Sequence, residues 1–315
     1  HSADGVVSGG GPYRTLPQKE YFNLHGHDKF HSERGMPAIM NYESMIAAMG
    51  AENVEPFSAE DHPNPLYGLH DYTLSPSSAQ TAESFNNIIR KMFGEPANAR
   101  QFAEWGQWIN YNTYRATFEA CSEHRRGMLL WMSHSAWPSM VWQTYDYYFE
   151  PTGTYFGCKK ACEPLHIQWN PASDNVEVVN YHTCDHTGLT AKAQVVNLYG
   201  KVEWEKETVI DIKDDATVIC FPLEFPETLT ETYFIKLVLS DGSEVLSDNF
   251  YFAGKEEGNF QAVKTLPSVK LNGNVKIEMH DGVWTIKGTV KNNTKTPVNY
   301  VLPPGISRAI DPTQT

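Results

Sequence analysis

The pattern of apolar residues changes near residue 164, and this change constrains the fold more than any other feature of the sequence. Before it, long stretches with helical spacing alternate with short apolar runs. After it, short runs typical of β-strands recur with turn signals between them. A chain of 315 residues is expected to form two domains, at roughly 100–200 residues each. We therefore predict a helix-rich first part and an all-β second part.

The first part contains two short strand-like runs, residues 29–33 and 127–132, with helical stretches around them. The second run is apolar throughout, which is typical of a parallel strand buried on both faces. Helices are predicted at 41–50, 81–93, 99–125 and 154–162, with a long loop over 51–80. Strands separated by helices indicate βα units, but a closed barrel takes about 250 residues. Residues 1–163 are therefore predicted to form the C-terminal part of a (β/α)₈ TIM barrel.

The second part has seven strand-like runs within about 90 residues, the spacing of an immunoglobulin-like β-sandwich. They are residues 165–169, 176–181, 193–198, 202–207, 217–222, 233–239 and 244–252. Asp241-Gly242 predicts a hairpin turn between the last two runs, and Asp281-Gly282 predicts a further hairpin. We predict a sandwich over 164–254, then a linker and the start of a second sandwich-like domain over 255–315. The expected fold class is thus α/β plus all-β.

Composition excludes several classes of function. The net charge of −13 disfavours binding to nucleic acid, and no apolar run is long enough for a membrane helix. The five cysteines are too scattered for a disulfide framework and are expected to be mostly buried thiols. The first residues lack the basic and apolar regions of a signal peptide, and a glycine-rich stretch precedes any predicted element. We therefore expect the chain to be a fragment of a longer protein.

Candidate functional residues follow from the rule that barrel enzymes carry their sites at the C-terminal ends of the strands. That rule selects Glu33 after the first run and the stretch from Trp131 to Trp137 after the second. A carboxylate beside aromatic side chains suits glycoside hydrolysis, in which one carboxylate attacks the sugar and a second protonates the leaving oxygen. The alternative is that Glu33 pairs with Arg34 or another cation and that the tryptophans belong to the core.

The stretches 131–148 and 155–169 (WMSHSAWPSMVWQTYDYY and YFGCKKACEPLHIQW) resemble the barrel-closing region of glycoside hydrolase family 2. Residues 30–37 (FHSERGMP) resemble the segment that carries this family's catalytic nucleophile, and residues 8–13 resemble the loop before it. The likeness is greatest to exo-β-D-glucosaminidases and their endo-β-mannosidase relatives. It implies a retaining β-glycosidase without a cofactor, in which Glu33 is the nucleophile. Tyr13, Trp131, Trp137 and Asp146 would contact the sugar, although Asp146 could instead cap a turn.

The same resemblance implies what this chain lacks. The general acid/base of the family should lie before His1, together with N-terminal domains that would be partners of this chain. We therefore expect the chain alone to be inactive or nearly so. The expected substrate is an oligo- or polysaccharide. A β-glucosaminide is the first choice, a β-mannoside the second and a β-galactoside the third. A periplasmic or secreted location is expected.

Two alternatives stay open from the residues alone. His25, His27 and His31 precede Glu33, and three imidazoles with a carboxylate could bind zinc. Their spacing matches no ligand helix, so we predict no metal. The second alternative is a non-catalytic module that binds polysaccharide through its aromatic residues without cleaving it.

Overall fold

A computed structural model describes residues 13–25, 30–36, 38–73, 82–121, 127–140, 144–267, 269 and 272–293. Its first part contains six helices and two strands among these residues. The helices are α1 (Gln18–His25), α2 (Tyr42–Met49), α3 (Pro65–Leu69), α4 (Ala82–Phe93), α5 (Ala99–Ala120) and α6 (Gly153–Ala161). The strands are β1 (Phe30–Arg34) and β2 (Gly127–Leu130). The chain is mixed α/β with more strand than helix, and none of the helices in its described part is long and apolar enough to cross a bilayer.

Strands β1 and β2 pair in parallel, as the alternation of strands and helices predicts. Phe30 lies opposite Gly127, and Arg34 lies opposite Leu130. The expectation that β2 is buried on both faces is wrong, because Leu129 is 56% exposed. Among the described residues β1 and β2 form a two-stranded sheet, and one face of it carries the exposed Leu129 side chain.

Helices α2, α4 and α6 lie within a residue of their predicted bounds. Helix α5 ends at Ala120, short of the predicted residue 125, and α1 was not predicted. The segment 51–80, predicted as a loop throughout, also contains a helix. Residues 65–69 form α3, because Pro65 suits the first turn of a helix and the Asn64 side chain accepts a hydrogen bond from the Leu66 N–H at 3.1 Å. Asn41 precedes α2 as expected but makes no side-chain cap; its amide donates to the Pro151 carbonyl at 3.3 Å instead. Asn98 caps α5 by accepting from the Gln101 N–H at 2.9 Å.

Helices α5 and α6 pack with their backbones in direct contact. A Cβ at Gly153 would lie 2.1 Å from the Gln107 carbonyl oxygen, and a Cβ at Gly157 would lie 2.3 Å from the Tyr111 carbonyl oxygen. Both distances are far below any real carbon–oxygen contact, so only glycine fits at either position. The absence of a side chain at Gly153 and Gly157 therefore allows α6 to pack directly against the backbone of α5.

The second part is a sandwich of two antiparallel sheets, which we call the sandwich below. Its strands are β3 (Leu165–Asn170), β4 (Asn175–Asn180), β5 (His186–Asn197), β6 (Val202–Ile212), β7 (Ala216–Pro222), β8 (Thr232–Asp241) and β9 (Glu244–Gly254). One sheet has the order β3-β4-β7 and the other the order β6-β5-β8-β9. Apolar side chains from both sheets form one buried core, among them Ile167, Val178 and Leu237. The seven predicted strands are therefore all present.

A final hairpin follows, with β10 (Asn272–His280) and β11 (Val283–Lys291) in antiparallel register. Asp281 and Gly282 form its turn with φ angles of +51° and +76°, the left-handed pair that an Asp-Gly turn favours. The predicted linker is not extended in its first part. Phe260 is buried, and a 3₁₀ helix (Gln261–Thr265) follows it against the helical core.

The N-terminal end of β8 contributes side chains to two cores. Ile235 faces the interior of the sandwich, whereas Phe234 belongs to the helical core of the first part. Phe252 on β9 packs against Trp108 of α5, with 4.9 Å between the ring centres, and against Phe260 at 5.7 Å. The sandwich and the helices therefore share an apolar interface.

A buried polar network lies next to that interface and joins α5 to the sandwich. Glu119 Oε1 accepts hydrogen bonds from Asn249 Nδ2 at 2.8 Å, from the Tyr251 hydroxyl at 2.9 Å and from His166 Nε2 at 3.0 Å. Arg115 donates to Asn249 Oδ1 at 2.8 Å, and its guanidinium lies over the Tyr251 ring. Burial lowers the pKa of His166, but its bonds to Glu119 and Glu163 outweigh burial and leave the pKa raised. The two carboxylates therefore favour the protonated form of the His166 imidazole.

Candidate functional site

Glu33 lies near the end of β1, at an irregularity in the strand pairing. Between the paired positions His31 and Arg34, β1 advances three residues while β2 advances two, from Met128 to Leu130. This is a β-bulge, which breaks the alternation of side chains and redirects those at the bulge. The Glu33 N–H donates to His31 Nδ1 at 3.3 Å. The bulge leaves Glu33 half-buried, whereas the neighbouring Arg34 is fully buried.

Tyr13 is in direct contact with Glu33, since its hydroxyl donates a hydrogen bond to Glu33 Oε1. The two residues are 20 positions apart, so the folded chain brings together two side chains that the sequence analysis selected separately. A phenol that donates to a carboxylate fixes the direction of the carboxylate oxygens. This pair is the central geometric feature of the candidate site.

Trp131 follows β2 directly and joins the ends of the two strands. Its N–H donates to the Arg34 carbonyl at 2.7 Å, and its side chain is 45% exposed. The next residue, Met132, has a φ of +68°, a left-handed conformation that is costly for a residue with a Cβ. Such conformations persist where surrounding contacts hold the backbone, and they are frequent at functional sites.

Trp137 is 46% exposed and lies beside another loop. Its ring stacks with that of His70, with 6.4 Å between ring centres and 20° between planes. Neither Trp131 nor Trp137 is a core residue. The alternative that both tryptophans belong to the core is therefore wrong. The structure links Tyr13 to Glu33 and Trp131 to Arg34, whereas the contact it gives for Trp137 is with His70.

Asp146 is fully buried and caps a turn, which was the alternative to sugar contact. Its Oδ1 accepts from the Tyr148 N–H at 2.9 Å and from the Glu150 N–H at 3.1 Å. Burial raises the pKa of this carboxyl, and its interactions with Ser44 and with those N–H groups only partly offset the rise. A carboxylate with this role and no exposed surface does not meet a ligand, so we leave Asp146 out of the sugar contacts proposed below.

His31 is a residue of the site that the sequence analysis considered only as a metal ligand. It is buried, and its Nδ1 accepts from the Glu33 backbone. The metal alternative also involves residue 27, which lies outside the described residues, as do residues 8–12 and Trp142. Two other histidines have aromatic partners: His134 stacks on Phe149 at 4.4 Å, and His70 on Trp137.

The known proteins that this chain resembles in sequence are named as glycosidases. No protein-family profile matches the chain. An exo-β-D-glucosaminidase of Streptomyces avermitilis is 31% identical over 77% of this chain and 28% of that protein. A mannosylglycoprotein endo-β-mannosidase of Lilium longiflorum is 23% identical over 90% of this chain and 32% of that protein. The chain therefore spans about a third or less of these relatives.

Solved structures show the same likeness in the fold. A variant of the exo-chitosanase of Amycolatopsis orientalis, in complex with PNP-β-D-glucosamine, superposes with a TM-score of 0.77 over 90% of this chain and 37% of that one, at 23% identity. A β-D-mannosidase of Dictyoglomus thermophilum gives 0.69 over 88% of this chain and 33% of that one, at 20% identity. The fold is thus that of a portion of a glycoside hydrolase.

The chain is a glycoside hydrolase family 2-like protein that covers a C-terminal portion of such enzymes, as its resemblance implied.

Proposed function

We propose that this chain is the nucleophile-bearing portion of a retaining β-glycosidase, and that Glu33 is the nucleophile. The observation that carries the proposal is the hydrogen bond from Tyr13 to Glu33 at the bulged end of β1. It presents a carboxylate that is half-buried, oriented by a phenol and placed at a strand end beside Trp131. In this proposal β1 and β2 belong to the closing part of a (β/α)₈ barrel, and the sandwich is the immunoglobulin-like domain after it.

The chemistry is a double displacement. A Glu33 oxygen attacks the anomeric carbon while the glycosidic C–O bond breaks, and the leaving oxygen takes a proton from a second carboxylic acid. Water then attacks the same carbon, the second carboxylate takes a proton from that water, and the bond to Glu33 breaks. Tyr13 donates to Glu33 in the free site and keeps one oxygen directed away from the sugar, so the other is free to attack.

The second carboxylate is expected upstream of this chain, in the N-terminal domains that would complete the protein. Two solved complexes of the Amycolatopsis exo-chitosanase with PNP-β-D-glucosamine carry an Asp-to-Ala and a Glu-to-Ala substitution, with the aspartate first in sequence. That order matches a second carboxylate located before Glu33. General acid–base catalysis typically contributes about 10²–10⁴-fold, so the chain alone should be inactive or nearly so.

The proposed substrate is an oligo- or polysaccharide with β-linked sugars. A β-glucosaminide comes first, because several of the relatives are named exo-β-D-glucosaminidase. A β-mannoside is second, supported by the endo-β-mannosidase and the β-D-mannosidase, and a β-galactoside is third. The half-exposed Trp131 and Trp137 would supply flat apolar faces for sugar rings. A periplasmic or secreted location belongs to the same proposal, because a polysaccharide is met there.

The test is covalent trapping with an activated 2-deoxy-2-fluoro-β-glycoside, applied to the longer protein that includes the upstream domains. We expect a mass increase of one sugar on the peptide that contains Glu33, and no label in a Glu33→Gln variant. A Glu43→Gln variant is the matched control, since Glu43 lies on the surface in an ion pair with Arg100. Labelling of another carboxylate, with Glu33→Gln still active, would refute the assignment.

A second candidate function, polysaccharide binding without cleavage, is favoured by the exposure of the two tryptophans. It predicts that this chain alone is retained on insoluble chitosan and that Trp131→Ala and Trp137→Ala each weaken retention. The control is Trp284→Ala, because Trp284 is 65% exposed on the separate hairpin β10–β11. Retention without labelling of Glu33 in the longer protein would favour this candidate over the glycosidase.

A further inference from the structure

Three side chains with nitrogen and sulfur ligand atoms meet where the loop after β4 enters β5, a segment separate from the candidate sugar site. His182 Nδ1 lies 3.0 Å from His186 Nε2, and Cys184 Sγ lies 3.8 Å from the same nitrogen. The three ligand atoms all lie within 4.8 Å of one another. Cys184 is exposed and is not in a disulfide, contrary to the expectation that the cysteines are mostly buried.

Two of the three separations are close to those of ligands that share one metal ion. With Zn–N bonds of about 2.0–2.1 Å and a Zn–S bond of about 2.3 Å at tetrahedral angles, nitrogen ligands lie about 3.3 Å apart and sulfur lies about 3.6 Å from nitrogen. The observed 3.0 and 3.8 Å differ from these values by a few tenths of an ångström. Small rotations about the side-chain bonds of His182 and Cys184 would close the difference.

The loop that carries these residues is held by a buried side chain. Asn180, fully buried at the end of β4, donates to the Cys184 and Lys213 carbonyls, each at 2.9 Å, and accepts from the His182 N–H at 2.9 Å. Asp185 adds a second anchor, because it accepts from the Asp214 N–H at 3.1 Å and forms an ion pair with Lys213. The backbone on both sides of Cys184 is therefore fixed before any ion binds.

We propose that His182, Cys184 and His186 form a binding site for Zn²⁺ or a similar first-row divalent transition ion. Two imidazoles and one thiolate are the donor set that such ions prefer, whereas Mg²⁺ and Ca²⁺ take oxygen ligands. The thiol of Cys184 releases its proton to solvent when it binds, and the exposed position leaves a fourth coordination site for water.

A different interpretation is that His182 and His186 form only a hydrogen bond between their rings, with one N–H as donor. The two interpretations differ in what they require of Cys184. A hydrogen-bonded histidine pair does not depend on the thiol at all, whereas a metal site loses one of its three protein ligands when the thiol is replaced. Cys184→Ser therefore separates them, because it changes one atom on an exposed loop.

The experiment is equilibrium dialysis of tag-free protein against Zn²⁺ alone, followed by metal analysis. We expect one equivalent of Zn²⁺ in the wild type, and binding that is weaker by at least about tenfold in Cys184→Ser and in His186→Gln. Loss of an outer-shell partner already costs about 10–100-fold, and these are direct ligands. The matched controls are Cys162→Ser and His280→Gln, which replace an exposed cysteine and an exposed histidine outside the loop.

Substitution by Co²⁺ gives a second readout that depends on the sulfur. A thiolate-to-cobalt charge-transfer band should appear in the wild type and in Cys162→Ser, and it should be absent in Cys184→Ser. The proposal is overturned by failure to retain Zn²⁺ in the tag-free wild type. It is equally overturned if Cys184→Ser and His186→Gln bind Zn²⁺ as the wild type does.

Discussion

Replacement of Glu119 by glutamine should destabilise the protein more than almost any other change of a single charge. The Glu119 carboxylate accepts the hydrogen bond of His166 Nε2 at 3.0 Å, and it faces Arg115, whose Nε lies 3.9 Å from Glu119 Oε2. The amide side chain of the Glu119→Gln variant would keep the volume and one acceptor oxygen. It would also place an NH₂ group toward the Arg115 guanidinium. Arg115 and the protonated form of His166 would then lose the buried negative charge that compensates them.

The expected cost follows from the burial of the three groups. Arg115, Glu119 and His166 are each about 1% exposed, so solvent cannot replace the missing charge. Removal of one partner from a buried ion pair typically costs about 3–5 kcal/mol. The hydrogen bonds of Asn249 and Tyr251 to Oε1 would also weaken, because bonds to a carboxylate are stronger than those to an amide.

The measurement is urea unfolding at neutral pH, followed by tryptophan fluorescence. Glu43→Gln is the control, since its ion pair with Arg100 at 3.1 Å is exposed and such pairs contribute about 0–1 kcal/mol. We expect a loss of about 3–5 kcal/mol for Glu119→Gln and less than about 1 kcal/mol for the control. If both variants unfold within about 1 kcal/mol of the wild type, the network does not hold charges as we infer.

Two further predictions follow from the packing and from the buried histidine. Gly157→Ala should destabilise the protein by about 1–3 kcal/mol or more, because the new Cβ would lie against the backbone of α5. Gly68→Ala should be neutral or stabilising by up to about 1 kcal/mol, because the space around its Cβ is open. The melting temperatures of the two variants are the measurement. The raised pKa of His166 means that its protonated form contributes stability fully below the unfolded value of about 6.5, and that this contribution is lost as the pH rises through the folded value. Melting temperatures between about pH 6 and 9 should therefore fall more steeply in the wild type than in Glu163→Gln, which removes one of the two carboxylates, and equal slopes would contradict the assignment.

The sandwich was predictable strand by strand because each strand alternates between core and solvent or between two cores. Ile235 and Phe234 are both apolar, but their periodicity with the neighbouring residues still identifies a strand. The turn at Asp281-Gly282 was predictable for a local reason, since both residues tolerate positive φ. These features depend on residues that are adjacent in sequence, so the sequence pattern alone is enough to predict them.

The features that sequence reasoning missed depend on distant contacts. Leu129 is exposed although its run is apolar throughout, because burial of a strand depends on which elements cover the sheet. The bulge at Glu33 depends on the pairing with β2, and the contact between His182 and His186 depends on a loop fixed by Asn180. The selection of Tyr13, and the role given to Glu33, rested on resemblance to a family, and the hydrogen bond between the two appears only in the folded chain.

The apolar outer face of β8 and β9 has a consequence for how this architecture can be divided or recombined. A sandwich module limited to residues 164–254 would expose Phe252 to water, because the rings that pack on it, Trp108 and Phe260, lie on α5 and in the segment after β9. Chimeras that exchange only the sandwich between related enzymes would therefore aggregate or unfold unless α5 and residues 255–267 are exchanged with it. We therefore expect the helices and the sandwich to be exchangeable only together, because Phe234 and Phe252 belong to the same core as the helices.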